Sequence, residues 1–145
     1  MQKTERGIIM REFTNYLGWG AVIFFVLSGM NYVVKAINKR YRKQIGASNF
    51  KNVFNPFMRA MVKNHKLFGA IAITFALVHG FFKFQSWGFV ESGILTLGLL
   101  VTQGFLGGYG FRKKKREGKW LFWHRIIPIL IILSVLTHVV FKIFF

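Results

Sequence analysis

Four stretches of this chain carry no charge, and each is close to the length needed to cross a lipid bilayer. They lie between Glu12 and Lys35, Lys66 and Lys83, Glu91 and Arg112, and Arg125 and Lys142. A hydrocarbon core of about 30 Å takes around 20 helical residues. The second and fourth stretches hold 16 uncharged residues each, so Lys or Arg side chains at their ends must reach out to the headgroups. None of the four alternates polar with apolar residues as a strand would, and an open sheet edge has no hydrogen-bond partners in lipid. The expected fold is an all-α membrane protein, a four-helix transmembrane up-down bundle, with helices over about 14–35, 56–83, 91–111 and 120–144. Residues 1–145 then form a single transmembrane domain.

Charge sets the expected orientation. The chain has 21 Lys and Arg against 4 Asp and Glu, with 53% hydrophobic residues. The positives are segregated: nine lie from Lys35 to Lys66 with no acid among them, and seven from Arg112 to Arg125 against Glu117 alone. Lys3, Arg6, Arg11, Lys83 and Lys142 remain for the other side, opposed by Glu5, Glu12 and Glu91. Positive residues in short loops are retained in the cytoplasm, which places both basic loops inside and both termini outside. A cleaved signal peptide over residues 1–29 is the competing reading, but such a peptide enters with its basic end inside. Nucleic acid is not an expected partner, since that needs one basic face on a folded soluble core. Membrane lipid is. Tyr16, Trp19 and Trp87 on one side, and Tyr32, Tyr109, Trp120 and Trp123 on the other, suit interfacial aromatic belts.

Between the first two helices, Ala36 to Asn55 is polar, basic and interrupted by Gly46, Ser48 and Asn49, which reads as a loop carrying at most an interfacial helix. Asn55-Pro56 supplies an N-cap and a first-turn proline, so the second helix is expected to begin there.

The histidines carry the chemistry. There are four: His65 and His79 on the second helix, His124 and His138 on the fourth, and both spacings are fourteen. Fourteen helical residues fall about 40° short of four full turns and rise about 21 Å, so the two histidines of each helix share a face. Sequential up-down helices make the second and fourth parallel, which sets His65 level with His124 and His79 level with His138. Two facing imidazoles at each of two depths are what two bis-histidine haems require. A di-iron carboxylate site would need inward Glu residues and Glu-x-x-His pairs, and a zinc site three or four ligands at one depth. The absence of cysteine removes thiolate and iron–sulfur sites and the Cys-x-x-Cys-His attachment of c-type haem.

The surroundings of the two helices also match when one is slid by 59 residues onto the other. His65-Lys66-Leu67 falls on His124-Arg125-Ile126, Gly69 on Pro128, Leu77 on Leu136, and Phe82-Lys83 on Phe141-Lys142. Lys83 and Lys142, one turn past the outer histidines, are placed to meet haem propionates, as are Lys63, Lys66 and Arg125 at the inner level; the same residues also serve as snorkelling ends. Pro128 cannot donate to the carbonyl of His124 and should loosen the fourth helix there. Gly69 and the glycines of the first and third helices, Gly104 and Gly108 among them, let a flat cofactor approach the backbone; Gly104-x-x-x-Gly108 is equally a helix-packing motif.

At these residues the chain resembles the dihaem b-type membrane cytochromes. Paired His-x13-His helices separated by one helix are the pattern of cytochrome b in quinol:cytochrome c reductases, and a close variant marks the ferric reductase and NADPH oxidase transmembrane core. The resemblance covers roughly residues 14–145 and implies a non-covalent inner haem b on His65 and His124, and an outer one on His79 and His138. It implies transmembrane electron transfer, by an oxidoreductase subunit in a larger redox complex more than by a stand-alone enzyme. The chain holds no Gly-rich dinucleotide fingerprint, so electron donor and acceptor are left to other redox subunits or carriers. Two further readings stay open. A quinone-reactive subunit would draw on Glu91, Asn31 or Gln103, and a haem-free anchor would hold anionic lipid or an acidic partner on its basic loops.

Overall fold

A computed structural model describes residues 2–88, 90–113 and 118–144, with side chains described over 7–86, 88, 90–113 and 118–140. The described chain is helical throughout: α1 (Gln2–Ala47), α2 (Lys51–Trp87), α3 (Glu91–Arg112) and α4 (Lys119–Phe144). All four are long and apolar enough to cross a membrane. The helices pack in chain order, α1 on α2, α2 on α3 and α3 on α4. Helices α2 and α4 are not close-packed neighbours.

The first two helices are longer than their apolar stretches. Helix α1 has 46 residues, about 69 Å at 1.5 Å per residue, and α2 has 37 residues, about 55 Å. The segment read above as a loop from Ala36 is helical almost to its end. Only Ser48, Asn49 and Phe50 turn the chain, and Ser48 Oγ donates to the Ile45 carbonyl at 3.3 Å. The reason is tertiary. Ile45 from α1 and Phe54 from α2 are buried although they lie beyond the apolar spans, and the two arms of the hairpin pack on each other. Amphipathic packing of this kind overrides weak local propensity. Helix α2 accordingly starts at Lys51, with Phe50 at its N-cap and Pro56 inside it, not at the first position. Helix α1 breaks once, at Tyr41 (φ −115°, ψ 19°).

Turns at the other end are built on glycine. Gly88, at φ 75°, ends α2 and donates its N–H to the Phe84 carbonyl, a conformation that side chains with a Cβ rarely adopt.

Inside the bundle, Leu100, Ile127 and Ile131 form the buried cluster, with Ile73, Ala76, Leu106 and Val135 packed around it. Many other large apolar side chains face outward, as expected where the surroundings are lipid. Hydroxyls on the spans are satisfied locally: Thr74, Thr102 and Thr137 each donate to the carbonyl four residues back, and Thr96 meets Ser134 across α3 and α4 at 2.6 Å. Ile131 is 1% exposed and its neighbour Ile132 50%. Ile131→Ala should therefore destabilise the bundle by about 2 kcal/mol or more. Ile132→Ala should stay within about 0.5 kcal/mol. Denaturant unfolding of the detergent-solubilised protein measures both.

Candidate functional site

Two pairs of imidazoles bridge the space between α2 and α4. The ring centres of His65 and His124 are 6.3 Å apart, and those of His79 and His138 6.5 Å; in both pairs the rings stand at 89° to each other. The pairs are separated by fourteen residues on each helix, about 21 Å. The separation within each pair has a chemical meaning. Two imidazoles that grip one metal atom from opposite sides, through bonds of about 2 Å and with each nitrogen about 1.1 Å from its ring centre, stand about 6 Å apart.

What orients the rings comes from the neighbouring helices. His65 Nδ1 donates to the Ser28 carbonyl at 2.9 Å, while the Ser28 hydroxyl, 3.0 Å from the same nitrogen, reaches the His65 carbonyl at 3.3 Å. His79 Nδ1 donates to the Thr14 carbonyl at 2.8 Å. A carbonyl can only accept, so both bonds place the proton on Nδ1 and leave the lone pair on Nε2. On the other side, Ser92 Oγ lies 2.9 Å from His138 Nδ1. This is the outer-shell arrangement of metal-binding histidines, in which the second ring nitrogen is tied to an oxygen.

His124 differs. Its Nδ1 is buried without a hydrogen-bond partner, and so is Oε1 of Gln103, whose Nε2 donates to the His124 carbonyl at 3.0 Å. Pro128 explains that last bond. It stands four residues after His124 and has no N–H to give the His124 carbonyl, which the Gln103 amide takes up instead. Trp120, expected as a belt residue, lies against the same imidazole, with ring centres 6.2 Å apart.

Glycines complete the holders. A Cβ on Gly18 would stand 2.9 Å from Cε1 of His79, one on Gly93 3.2 Å from Cε1 of His138, and one on Gly107 3.4 Å from Cε1 of His124. Of the glycines on the first and third helices, Gly18, Gly93 and Gly107 are the ones that face the imidazoles. Gly104 lets α3 close on Ile73 of α2, and Gly108 faces open space. Gly69 has the Ser28 hydroxyl as its nearest neighbour, 3.6 Å from a built Cβ. Among the basic candidates, Lys66 places its Nζ 3.4 Å over the Phe111 ring, Lys63 and Arg125 are exposed, and Lys83 is half-buried. The Lys142 side chain lies outside the described residues.

A register runs through all of this that sequence reasoning on the histidines alone misses. Thr14 and Ser28 are fourteen apart on α1, as are Gly93 and Gly107 on α3. Each pair opposes, in antiparallel order, the two histidines of the adjacent helix. The same interval on four helices was the available signal. At the step where Ser92 serves His138, the register puts Leu106 opposite His124, which leaves that Nδ1 without an oxygen.

Among the described residues, no three His, Cys, Asp or Glu side chains converge. Each level offers two imidazoles, a donor set suited to a metal whose remaining ligands come with it. No protein-family model, curated protein or solved structure matches the chain.

Gly18→Ala should place its methyl against His79 and cost about 1–3 kcal/mol relative to Gly29→Ala, whose Cβ meets nothing within 4 Å. Equal unfolding midpoints for the two variants would remove Gly18 from the site.

Proposed function

We propose that this chain is a membrane cytochrome of the b type, the electron-carrying subunit of a larger redox complex, which moves electrons across a membrane between two haem sites. One observation carries the reading: two histidine pairs, at 6.3 and 6.5 Å, repeat at two levels with Nδ1 already engaged on three of the four rings. Haem iron, when bound, supplies a one-electron ferric–ferrous couple at each level.

The protein's part is to hold and to tune. His65 with His124, and His79 with His138, would hold one haem each, and ligation by two imidazoles favours carrying electrons over binding oxygen. The Ser28 and Thr14 carbonyls keep the imidazoles of His65 and His79 in one tautomer, and Ser92 helps to orient His138, so little rearrangement accompanies a change of charge at the metal. Apolar side chains from the spans exclude water. Lys63, Lys66 and Arg125 on the basic side, and Lys83 and Lys142 on the other, would offset the propionates. The positive-inside bias assigns the basic side to the cytoplasm and both termini outside.

Differences between the levels follow from the same contacts. A hydrogen bond from Nδ1–H to oxygen makes the imidazole a stronger donor and favours the ferric state. His124 lacks it. The sixteen positives of the basic segments lie on that same side and favour the reduced form there. The His65–His124 site should therefore have the higher midpoint potential of the two.

An absorption spectrum of the purified protein, oxidised and then reduced with dithionite, tests the reading. Reduced b-type bands are expected, and their absence would overturn it in favour of a haem-free, lipid-binding anchor. His65→Ala and His79→Ala should each remove about half of the haem and leave the other site intact. Leu106→Ser, which supplies His124 with the hydroxyl that Ser92 gives His138, should lower the potential of the basic-side site alone. A redox titration resolves the two steps.

A further inference from the structure

The hairpin of α1 and α2 encloses a second feature, remote from the histidines. Between its arms on the basic side is a cavity of about 480 Å³, lined by Asn38, Arg42 and Ile45 of α1 and by Asn55, Met58 and Arg59 of α2. The helix break at Tyr41 immediately precedes Arg42 in the chain. Two arginines, one from each arm, therefore line one space together with two asparagines.

No carboxylate lies near them in the sequence: Lys35 to Lys66 carries nine positives and no acid, and the two acids of α1, Glu5 and Glu12, sit at the far end of that helix. Among the described residues, Arg59 gives its Nε–H to the Asn55 carbonyl at 3.4 Å. A guanidinium has five donors in a planar fork, so most of the capacity of that side chain is left for a ligand. Two such forks with neutral amide donors beside them match the oxygens of a phosphate group.

Position narrows the source. Arg59 is six residues and Asn55 ten residues before His65, about 9 and 15 Å further to the basic side along α2. Lys66 marks the end of the apolar span, and the headgroup layer adds about 5–8 Å beyond the hydrocarbon on each face. A phosphate of that layer is within reach of a long arginine side chain. Ile45, which is buried, and Met58 form an apolar wall that a glycerol backbone can cover and inorganic phosphate does not need.

We propose that this cavity is a phosphate-binding site, independent of the histidine pairs, and that it takes the phosphate of an anionic phospholipid. The full-length protein in detergent, titrated with phosphatidylglycerol, phosphatidylcholine or inorganic phosphate and read by native mass spectrometry, tests this. Phosphatidylglycerol should bind at one site above the background of weaker adducts, and phosphatidylcholine should not. Arg42→Gln with Arg59→Gln should weaken that binding by about tenfold or more, while Lys39→Gln with Lys43→Gln removes the same charge outside the cavity and should leave it in place. Arg42→Lys with Arg59→Lys keeps the charge and loses the fork, and should also weaken binding; it serves as the readout if the glutamine pair does not fold. Inorganic phosphate that binds as tightly as the lipid would support the site and assign it to a soluble phosphate compound. Equal losses from the arginine and lysine pairs, or no loss from either, would overturn the proposal, because binding would then be diffuse attraction to a basic surface.

Discussion

A buried imidazole is best held when its Nδ1 meets an oxygen, and three of the four histidines are held that way by the neighbouring helices. Water is absent from the bilayer core, and an unsatisfied polar group there costs free energy that packing has to offset. The bundle meets the demand from outside the histidine-bearing helices. Helix α1 supplies carbonyls at Thr14 and Ser28, and α3 supplies the hydroxyl of Ser92. A main-chain carbonyl inside a helix is normally occupied, so a side chain can share it only where the two helices come very close. Gly18 and Gly93 allow that approach by removing the Cβ that would meet the ring. Helices α1 and α3 are in this sense clamps, and the fourteen-residue interval on each is imposed by the interval between the histidines it serves.

The spans and the paired histidines were legible because they depend on one-dimensional properties. Charge-free length marks a membrane helix, and an interval of fourteen marks a shared face whatever else the helix contacts. The clamps were harder to read. Thr14 contributes through its main chain, while its hydroxyl donates to the Met10 carbonyl, so its side chain carries no trace of the service it renders to His79. Glycine is ambiguous in the same way: Gly104 and Gly107 are three residues apart on α3, and only the packed structure separates the one against Ile73 from the one against His124. The stretch from Ala36 to Asn55 was misread because its polarity describes a surface, and helices extending past a membrane have polar surfaces. Its helical state goes with the burial of Ile45 and Phe54, two apolar residues too widely spaced to form a run.

Pro128 shows how a single local break propagates to a difference between the two levels. The proline releases the carbonyl of His124, Gln103 satisfies that carbonyl, and the amide so engaged keeps its own Oε1 without a partner. On α2 the matching position is Gly69, which keeps its N–H and lets the Ser28 hydroxyl come near, so the same step along the helix produces a well-held imidazole there. All three buried polar atoms without partners among the described residues, on Asn31, Gln103 and His124, lie at or next to the basic-side level. The opposite level has its Nδ1 atoms tied to Thr14 and Ser92. The chain thus builds inequality between two nearly repeated sites with one proline and one leucine, Pro128 and Leu106, without altering the histidines themselves. Sixteen positive side chains then bias the same level from the membrane surface, so the short-range and long-range fields act in one direction across the bundle.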